Sequence, residues 1–600
     1  MNMRAPSGKD DFAWNGRVFL LIMLIAAVLR LWRLEVPSLW FDEVLVALVA
    51  RLPGDSILMR SLVEDFHPPT FYLMVKAVMG AGLSDTALRL PQVAFGLAGV
   101  WYAWKAGRQM LSEQAGLILA ALTAVQPWHL LLSRQLRPYS IVFFFSLAAF
   151  FHLWRAIRDG RRGDFLLAGL CLWPPVLLHF SGLLAMGGAG LVAVTALILR
   201  RARIADAWVF FLVCGMAGAS VFPFLSSLFG RETGITGAIG YPEVLQGMGD
   251  RLNALMCREL YPNLRIAIAC LSLLGLLSLF RRDRLLALVS LGWFLFPLMA
   301  LVAVRYSTYF NPWHLTFLMP PLLLWQAQAI RAVTGERVLP WLSLLFGVLG
   351  CWWYLAVNDA YYYRPESYSG DYKQYAAKIL AGHSRRTVYV YPQSGVSGPL
   401  NWYLDESSEP NPLRAQHVDP DMAVVRAVIL GEHGASESMI QRTPAVPMGG
   451  LPFRCRITSA PGDFLSQVNR LDRVACQPVL EDVLIATEED RTGCAEFLFE
   501  NSTAEPQEIT VHFGYSNRFP GNRFAVFCRF DDEPWAGSFV STGLDPRGHD
   551  KLKLTRPSPY RRLTVRFELY RNSGSSTFTG EALEAVRLLD FKVEADAADK

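Results

Sequence analysis

Charge is scarce in this sequence. Of its 600 residues only 18% are Asp, Glu, Lys or Arg, whereas 52% are hydrophobic, a balance that a single water-soluble globule does not suit. Cysteine is scarce as well. There are nine, none in pairs with zinc-ligand spacing, so no metal site is expected. The chain shows no internal repeat and no long low-complexity tract. Nor does a small-residue cleavage site follow the first long apolar run, which therefore reads as an uncleaved first span and not a signal peptide. The net charge of +5 is spread in short clusters between apolar runs, so nucleic acid is not an expected partner.

Long hydrophobic runs are abundant. From Val18 to about Trp353 the chain repeatedly goes 17 to 22 residues with almost no charge, the length a helix needs to cross about 30 Å of hydrocarbon. About eleven such runs are expected to span. A further run, 68 to 82, is ambiguous. If it crossed, the basic clusters at Lys105/Arg108, Arg155 to Arg162, Arg200 to Arg203, Arg281 to Arg284 and Arg331/Arg337 would face away from the N-terminus. If it stays in the interface, all of them share the N-terminal side, as the positive-inside rule prefers. The expectation is a polytopic α-helical membrane protein with interfacial helices in its first outer loop and a cytoplasmic N-terminus. A bacterial inner membrane would place the C-terminal region in the periplasm or outside the cell.

After Tyr361 the apolar runs stop. The expected division is a membrane module over 1–357, a small extracytoplasmic α/β unit over 358–450 and a β-sandwich over 451–600. The last segment alternates short β-rich stretches with Gly, Pro, Asn and Asp, in the manner of carbohydrate-binding jelly rolls. Its four cysteines, Cys455, Cys476, Cys494 and Cys528, permit two disulfides in an oxidising compartment.

Candidate chemistry begins in the first outer loop. Asp42 and Glu43 open a short amphipathic segment; acidic residues favour a helix N-terminus in any case, but a carboxylate beside the bilayer surface can also take a proton from an acceptor hydroxyl. Adjacent helical residues point about 100° apart, so one of the two is expected to be the base and the other its support. Asp65 and His67 precede a Pro pair that can start the next helix. Arg134 and Arg137, with Tyr139, and later Arg305, put cations at the outer face. Arginine at membrane depth costs about 2.5–3.5 kcal/mol on insertion scales, which makes an anionic partner a reasonable expectation and headgroup snorkelling the bland alternative.

In order, Leu39-Trp-Phe-Asp-Glu43, His67-Pro-Pro-Thr-Phe-Tyr72, Leu88-Arg-Leu-Pro91 with Gly96, and Gln135-Leu-Arg-Pro-Tyr139 resemble the membrane-embedded GT-C glycosyltransferases. Bacterial relatives of protein O-mannosyltransferases and of lipid A aminoarabinose transferases are the most similar, over roughly residues 17 to 330. The resemblance implies a polyprenyl-phosphate sugar as co-substrate and transfer, usually with inversion, to a lipid, polysaccharide or protein outside the cytoplasm. It also implies Asp42 as base with Glu43 in support, Arg134, Arg137 and Arg305 on the phosphate, and Asp65 and His67 shaping the site. Thr70, Phe71 and Tyr72 stand where O-mannosyltransferases carry a basic residue, and His67 where aminoarabinose transferases carry Lys, so the particular substrate does not transfer. A divalent metal used by some relatives has no ligand pattern here.

Two other classes compete. A transporter or flippase of a lipid-linked glycan would also need many helices, but it commonly shows two similar halves and mid-membrane charges, neither of which this sequence has. A polysaccharide polymerase or ligase would place its key residues in a large central loop, for which only 230 to 262 qualifies, with Arg231, Glu232, Arg258 and Glu259.

Overall fold

The computed structural model describes residues 8–63, 67–82, 84–229, 241–257, 265–303, 311–364 and 371–382, and beyond these the helical residues 399–400 and 402–404 with the strands and turns of the C-terminal region. It forms two compact units. One comprises Met1–Pro37 with Val46–Arg364, the other Ser38–Leu45 with Pro365–Lys600.

The first unit is helical. Helices occupy all eleven positions expected from the apolar runs. Among the described residues six are long and apolar enough to cross a membrane: Trp14–Leu31, Tyr139–Asp159, Ser181–Ile198, Ile204–Leu225, Arg284–Ala303 and Glu336–Val357. The other five fall short by length, charge or hydropathy. One expected span, for example, is split into Glu113–Val125 and Pro127–Leu132. The residue before a proline is pushed out of helical geometry, and Gln126 is extended (ψ 124°) while its side chain caps the next helix through the N–H of His129 at 2.6 Å.

The ambiguous run forms only the helix Thr70–Met79, ten residues or about 15 Å, half of what crossing requires. With Phe41–Arg51 and Gly54–Val63 it makes three short helices between the first span and the helix Asp85–Met110. Packing among the long helices relies on small residues. Val18, Ile22 and Ala26 of the first helix meet Val100, Leu117, Ala120, Ala121 and Ala124. At Gly96 a Cβ would stand 2.3 Å from the Ser133 hydroxyl oxygen, so only glycine allows that approach.

In the second unit, Thr387–Val390 pairs parallel with Val424–Gly431, which pairs antiparallel with Gly434–Gln441. The helix Tyr372–Gly382 precedes this sheet. The rest is built from two six-stranded sheets. One runs in the order Asp545–Arg556, Gln507–Asn517, Val586–Ala597, Val483–Ala486, Val474–Gln477, with Phe453–Arg456 also paired to Val586–Ala597; the other runs Gly537–Ser541, Arg523–Phe530, Arg562–Tyr570, Thr492–Asn501, Val446–Met448, with Val468–Asp472 also paired to Thr492–Asn501. Their strands share an apolar core containing Phe497, Val511, Phe513, Val526, Phe567 and Phe591. Period-two alternation produces it: Phe524, Val526, Cys528 and Phe530 point inward along one strand.

Of the four cysteines that would permit two disulfides, the side chains of Cys494 and Cys528 are described and those of Cys455 and Cys476 are not. Cys494 and Cys528 are free and buried. They sit on strands that flank Arg562–Tyr570, where Cys494 is opposite Glu568 and Cys528 opposite Val565. Two strand spacings separate them by about 9.5 Å before that three-residue offset is added, beyond the roughly 7 Å a bridge tolerates.

Candidate active site

The helix Phe41–Arg51 starts at Trp40, whose carbonyl accepts the N–H groups of Glu43 at 2.9 Å and Val44 at 3.0 Å. In return the Glu43 carboxylate accepts the Trp40 N–H at 3.3 Å. Glu43 is fully buried, while Asp42 beside it is partly open. The two adjacent carboxylates therefore differ in kind: one secures the helix start and the other is partly exposed. The segment that presents them is held within its own unit. Leu39 N–H donates to the Tyr403 hydroxyl at 2.7 Å, Lys373 N–H donates to Ser38 Oγ at 3.2 Å, and the Lys373 ammonium lies 5.8 Å from the Tyr403 ring.

In the helical unit four segments converge on a cluster of rings around one guanidinium. His67 comes from the turn before the helix Thr70–Met79, and its ring lies 5.0 Å from that of His179. Tyr139 is the first residue of a long helix and stands 5.2 Å from His179 and 5.9 Å from His314. His314, on the 3-10 turn Pro312–Leu318, is 4.9 Å from His179. Arg137 donates to the Tyr139 hydroxyl at 3.3 Å.

Hydrogen bonds set the His179 tautomer. The Ser181 N–H donates to His179 Nδ1 at 3.0 Å, so Nδ1 is the acceptor, and the Ser181 hydroxyl is 2.8 Å away. The ring proton is then on Nε2, which faces the Tyr139 oxygen at 3.4 Å. His179 lies in the link between two helices. Burial, followed by the neighbouring His314, His67 and Arg137, pushes its pKa well below the ordinary histidine value. The cluster can thus offer one permanent cation, the imidazole N–H of His179 and a phenol.

Arg134 is placed differently from what its sequence neighbourhood suggests. Its guanidinium is fully buried at the end of the first helix and donates to the carbonyls of Arg30 at 2.8 Å, Trp32 at 2.9 Å, Leu29 at 3.2 Å, Tyr362 at 3.2 Å and Arg33 at 3.3 Å. It also stacks 4.4 Å from the Tyr363 ring. This is a helix-end cap, which satisfies carbonyls that a helix leaves unpaired. Asp65 and Arg305 lie outside the described residues, as do Arg231, Glu232, Arg258 and Glu259.

Sequence reasoning gave no role to three buried groups. Arg89 donates to the carbonyls of Leu34 at 3.0 Å and Pro37 at 2.9 Å and fixes the chain just ahead of Ser38. Arg30 donates to the Ala124 carbonyl at 3.1 Å and meets His129 Nδ1 at 2.8 Å. Arg89 was part of a quoted motif, but nothing in its spacing says which carbonyls it meets. Among the described residues no cluster of His, Cys, Asp or Glu could hold a metal ion.

Residues 66–227 match the family described as dolichyl-phosphate-mannose-protein mannosyltransferase. No curated protein matches the chain. Among solved structures, ArnT from Cupriavidus metallidurans in the apo state is 13% identical with a TM-score of 0.43, covering 70% of this chain and 93% of that one. The archaeal oligosaccharyltransferase AglB from Archaeoglobus fulgidus, in complex with an inhibitory peptide and a dolichol-phosphate, is 11% identical with a TM-score of 0.40, covering 66% and 64%. The S. cerevisiae protein O-mannosyltransferase Pmt1-Pmt2 complex bound to the sugar donor is 19% identical with a TM-score of 0.27, covering 36% and 32%. The match to the family described as dolichyl-phosphate-mannose-protein mannosyltransferase is thus confined to residues 66–227 of the chain.

Proposed function

We propose that the protein transfers a sugar from a polyprenyl-phosphate-linked donor to an extracytoplasmic lipid, polysaccharide or protein, with Asp42 as general base. The observation that carries this reading is the contrast between Asp42, partly open at a helix start, and Glu43, buried and tied to the Trp40 N–H. Asp42 takes the acceptor hydroxyl proton, and that oxygen attacks the anomeric carbon. The bond from this carbon to the phosphate oxygen breaks in the same step, so the configuration inverts and no covalent enzyme intermediate forms. The leaving group is a polyprenyl phosphate anion, which positive charge and hydrogen-bond donors stabilise.

Arg137, steadied against Tyr139, is the residue we assign to that phosphate, with His67 and His179 as neighbouring donors. Asp65 and Arg305 join this site on sequence grounds. The family matched by residues 66–227 takes its description from a dolichyl-phosphate-linked mannose, which supports a lipid-phosphate donor. We place the N-terminus in the cytoplasm and the C-terminal unit outside it, in a bacterial inner membrane, because the basic loops all fall on the N-terminal side. The test is to reconstitute the purified protein with a panel of polyprenyl-phosphate sugars and measure free polyprenyl phosphate. Wild type should release it and Asp42→Asn should not; equal release by Asp42→Asn would overturn the mechanism. A protein that moves lipid-linked sugar across the bilayer without consuming any would be a flippase instead.

A further inference from the structure

Between Pro68 and Gly82 the sequence carries a single charge, Lys76. It lies in the helix Thr70–Met79, where Phe71, Tyr72 and Val75 are buried and Lys76 itself is half-buried. A lysine in so apolar a run ordinarily extends its ammonium to lipid headgroups or water. Here the ammonium turns onto protein instead. Lys76 Nζ donates to the carbonyls of Leu52 at 2.7 Å and Ala50 at 3.4 Å.

Those carbonyls lie at the end of the helix Phe41–Arg51. A helix leaves its last carbonyls without partners of its own and gathers partial negative charge there, so a cation is the fitting cap. The chain offers little else at this point. It leaves through a tight turn, with the Leu52 N–H donating to the Val49 carbonyl at 3.0 Å, and the next residue is Pro53, which has no N–H to give.

Lys76 therefore ties together two short helices that the chain separates by a third, Gly54–Val63. Each of the two leads to a group that the transfer uses. The helix Phe41–Arg51 carries Asp42 and Glu43 in its first turn, eight residues or about 12 Å from Ala50. Tyr72 is one turn before Lys76 on the same face of its helix, and its ring lies edge-on 6.3 Å from that of His67, which in turn is 5.0 Å from His179.

We propose that Lys76 is a positioning residue for the transfer. By capping the helix that opens with Asp42 from the helix that follows the His67 turn, it fixes how the base is presented while touching neither substrate nor the reacting atoms. This role rests on Asp42 as the base; the cap itself does not.

Two measurements on the full-length protein in detergent separate the cap from its consequence. Hydrogen exchange reads the cap without any substrate, and release of free polyprenyl phosphate reads turnover. Lys76→Met keeps the apolar stem and removes the donor, and it should speed exchange over 46–57 at least about fivefold. Its kcat should fall at least about tenfold, a loss of about 1.4 kcal/mol at the transition state, with donor KM within about twofold of wild type. Lys76→Arg, whose guanidinium can donate to the same carbonyls, should recover most of both. Unchanged exchange in Lys76→Met overturns the proposal, as does faster exchange with wild-type kcat. A raised donor KM at constant kcat overturns it too, because Lys76 would then act on the donor, and so does a Lys76→Arg protein that behaves like Lys76→Met. Wild-type release by Asp42→Asn would remove the base and leave the exchange difference of Lys76→Met standing, so the two failures are distinguishable.

Discussion

The N–H of Leu39 donates to the hydroxyl of Tyr403 at 2.7 Å, a bond between residues 364 positions apart. With the bond from Lys373 N–H to Ser38 Oγ it ties Ser38–Leu45 to the compact unit that contains Pro365–Lys600. The segment bearing Asp42 is thus ordered by residues encoded long after the last apolar run.

Tyr403→Phe should loosen that segment. An unmet N–H at Leu39 costs about 1–3 kcal/mol locally. We expect faster hydrogen exchange over 38–45 and a several-fold fall in kcat, with donor KM little changed. Exchange identical to wild type would show that the bond does not order the segment.

Arg134 separates a structural role from a phosphate-binding one. Replacing it with Met leaves several carbonyls at the end of the first helix without their charged donor, at a cost of about 3 kcal/mol. The thermal midpoint in detergent should fall clearly. A variant that melts like wild type but has a raised donor KM would mean that Arg134 acts on the donor after all.

Arg137 should behave in the opposite way. Arg137→Lys keeps the charge but loses the fork that can hold a phosphate while bonding Tyr139. Turnover should fall at least about tenfold, a loss of roughly 1.4 kcal/mol at the transition state, with little change in melting. Equal kcat in the two proteins would remove Arg137 from the phosphate site.

The His179 pKa is depressed in the folded protein, with a sign that can be worked through. The unfolded chain binds the proton more readily, so the stability linked to this group is complete above about pH 6.5 and is lost progressively as pH falls below that value. His179→Gln should flatten the fall in melting temperature between about pH 6.5 and 5. A slope equal to wild type would exclude His179 as its source.

Cys528 offers a check on the β-sandwich. Burial pushes its thiol up to about 12, so it carries almost no thiolate at neutral pH. Mass spectrometry after iodoacetamide treatment should find it unmodified in the native protein and alkylated once unfolded. Ready labelling of the native protein would contradict the packing of that core.

The membrane helices were legible because hydrocarbon thickness acts on local run length, and the apolar runs became helical where they were expected, one of them broken in two before Pro127. The sandwich strands were legible for a similar reason, since period-two alternation is local. The difference between Asp42 and Glu43 followed in part from helix geometry, which points neighbours apart. What the sequence by itself determined is therefore local: helix or strand, apolar or charged, near a helix start or not. Only the tertiary structure decided what each charge meets. Arg134 and Arg137 look alike along the chain, yet one caps the first helix with help from the Tyr362 carbonyl, 228 residues away, and the other meets Tyr139 within a cluster drawn from four segments. The two cysteines that composition allowed to pair were kept apart by strand order. A hydrogen bond or a disulfide depends on distances of a few ångströms between remote residues, and those distances arise only once the helices and sheets have packed.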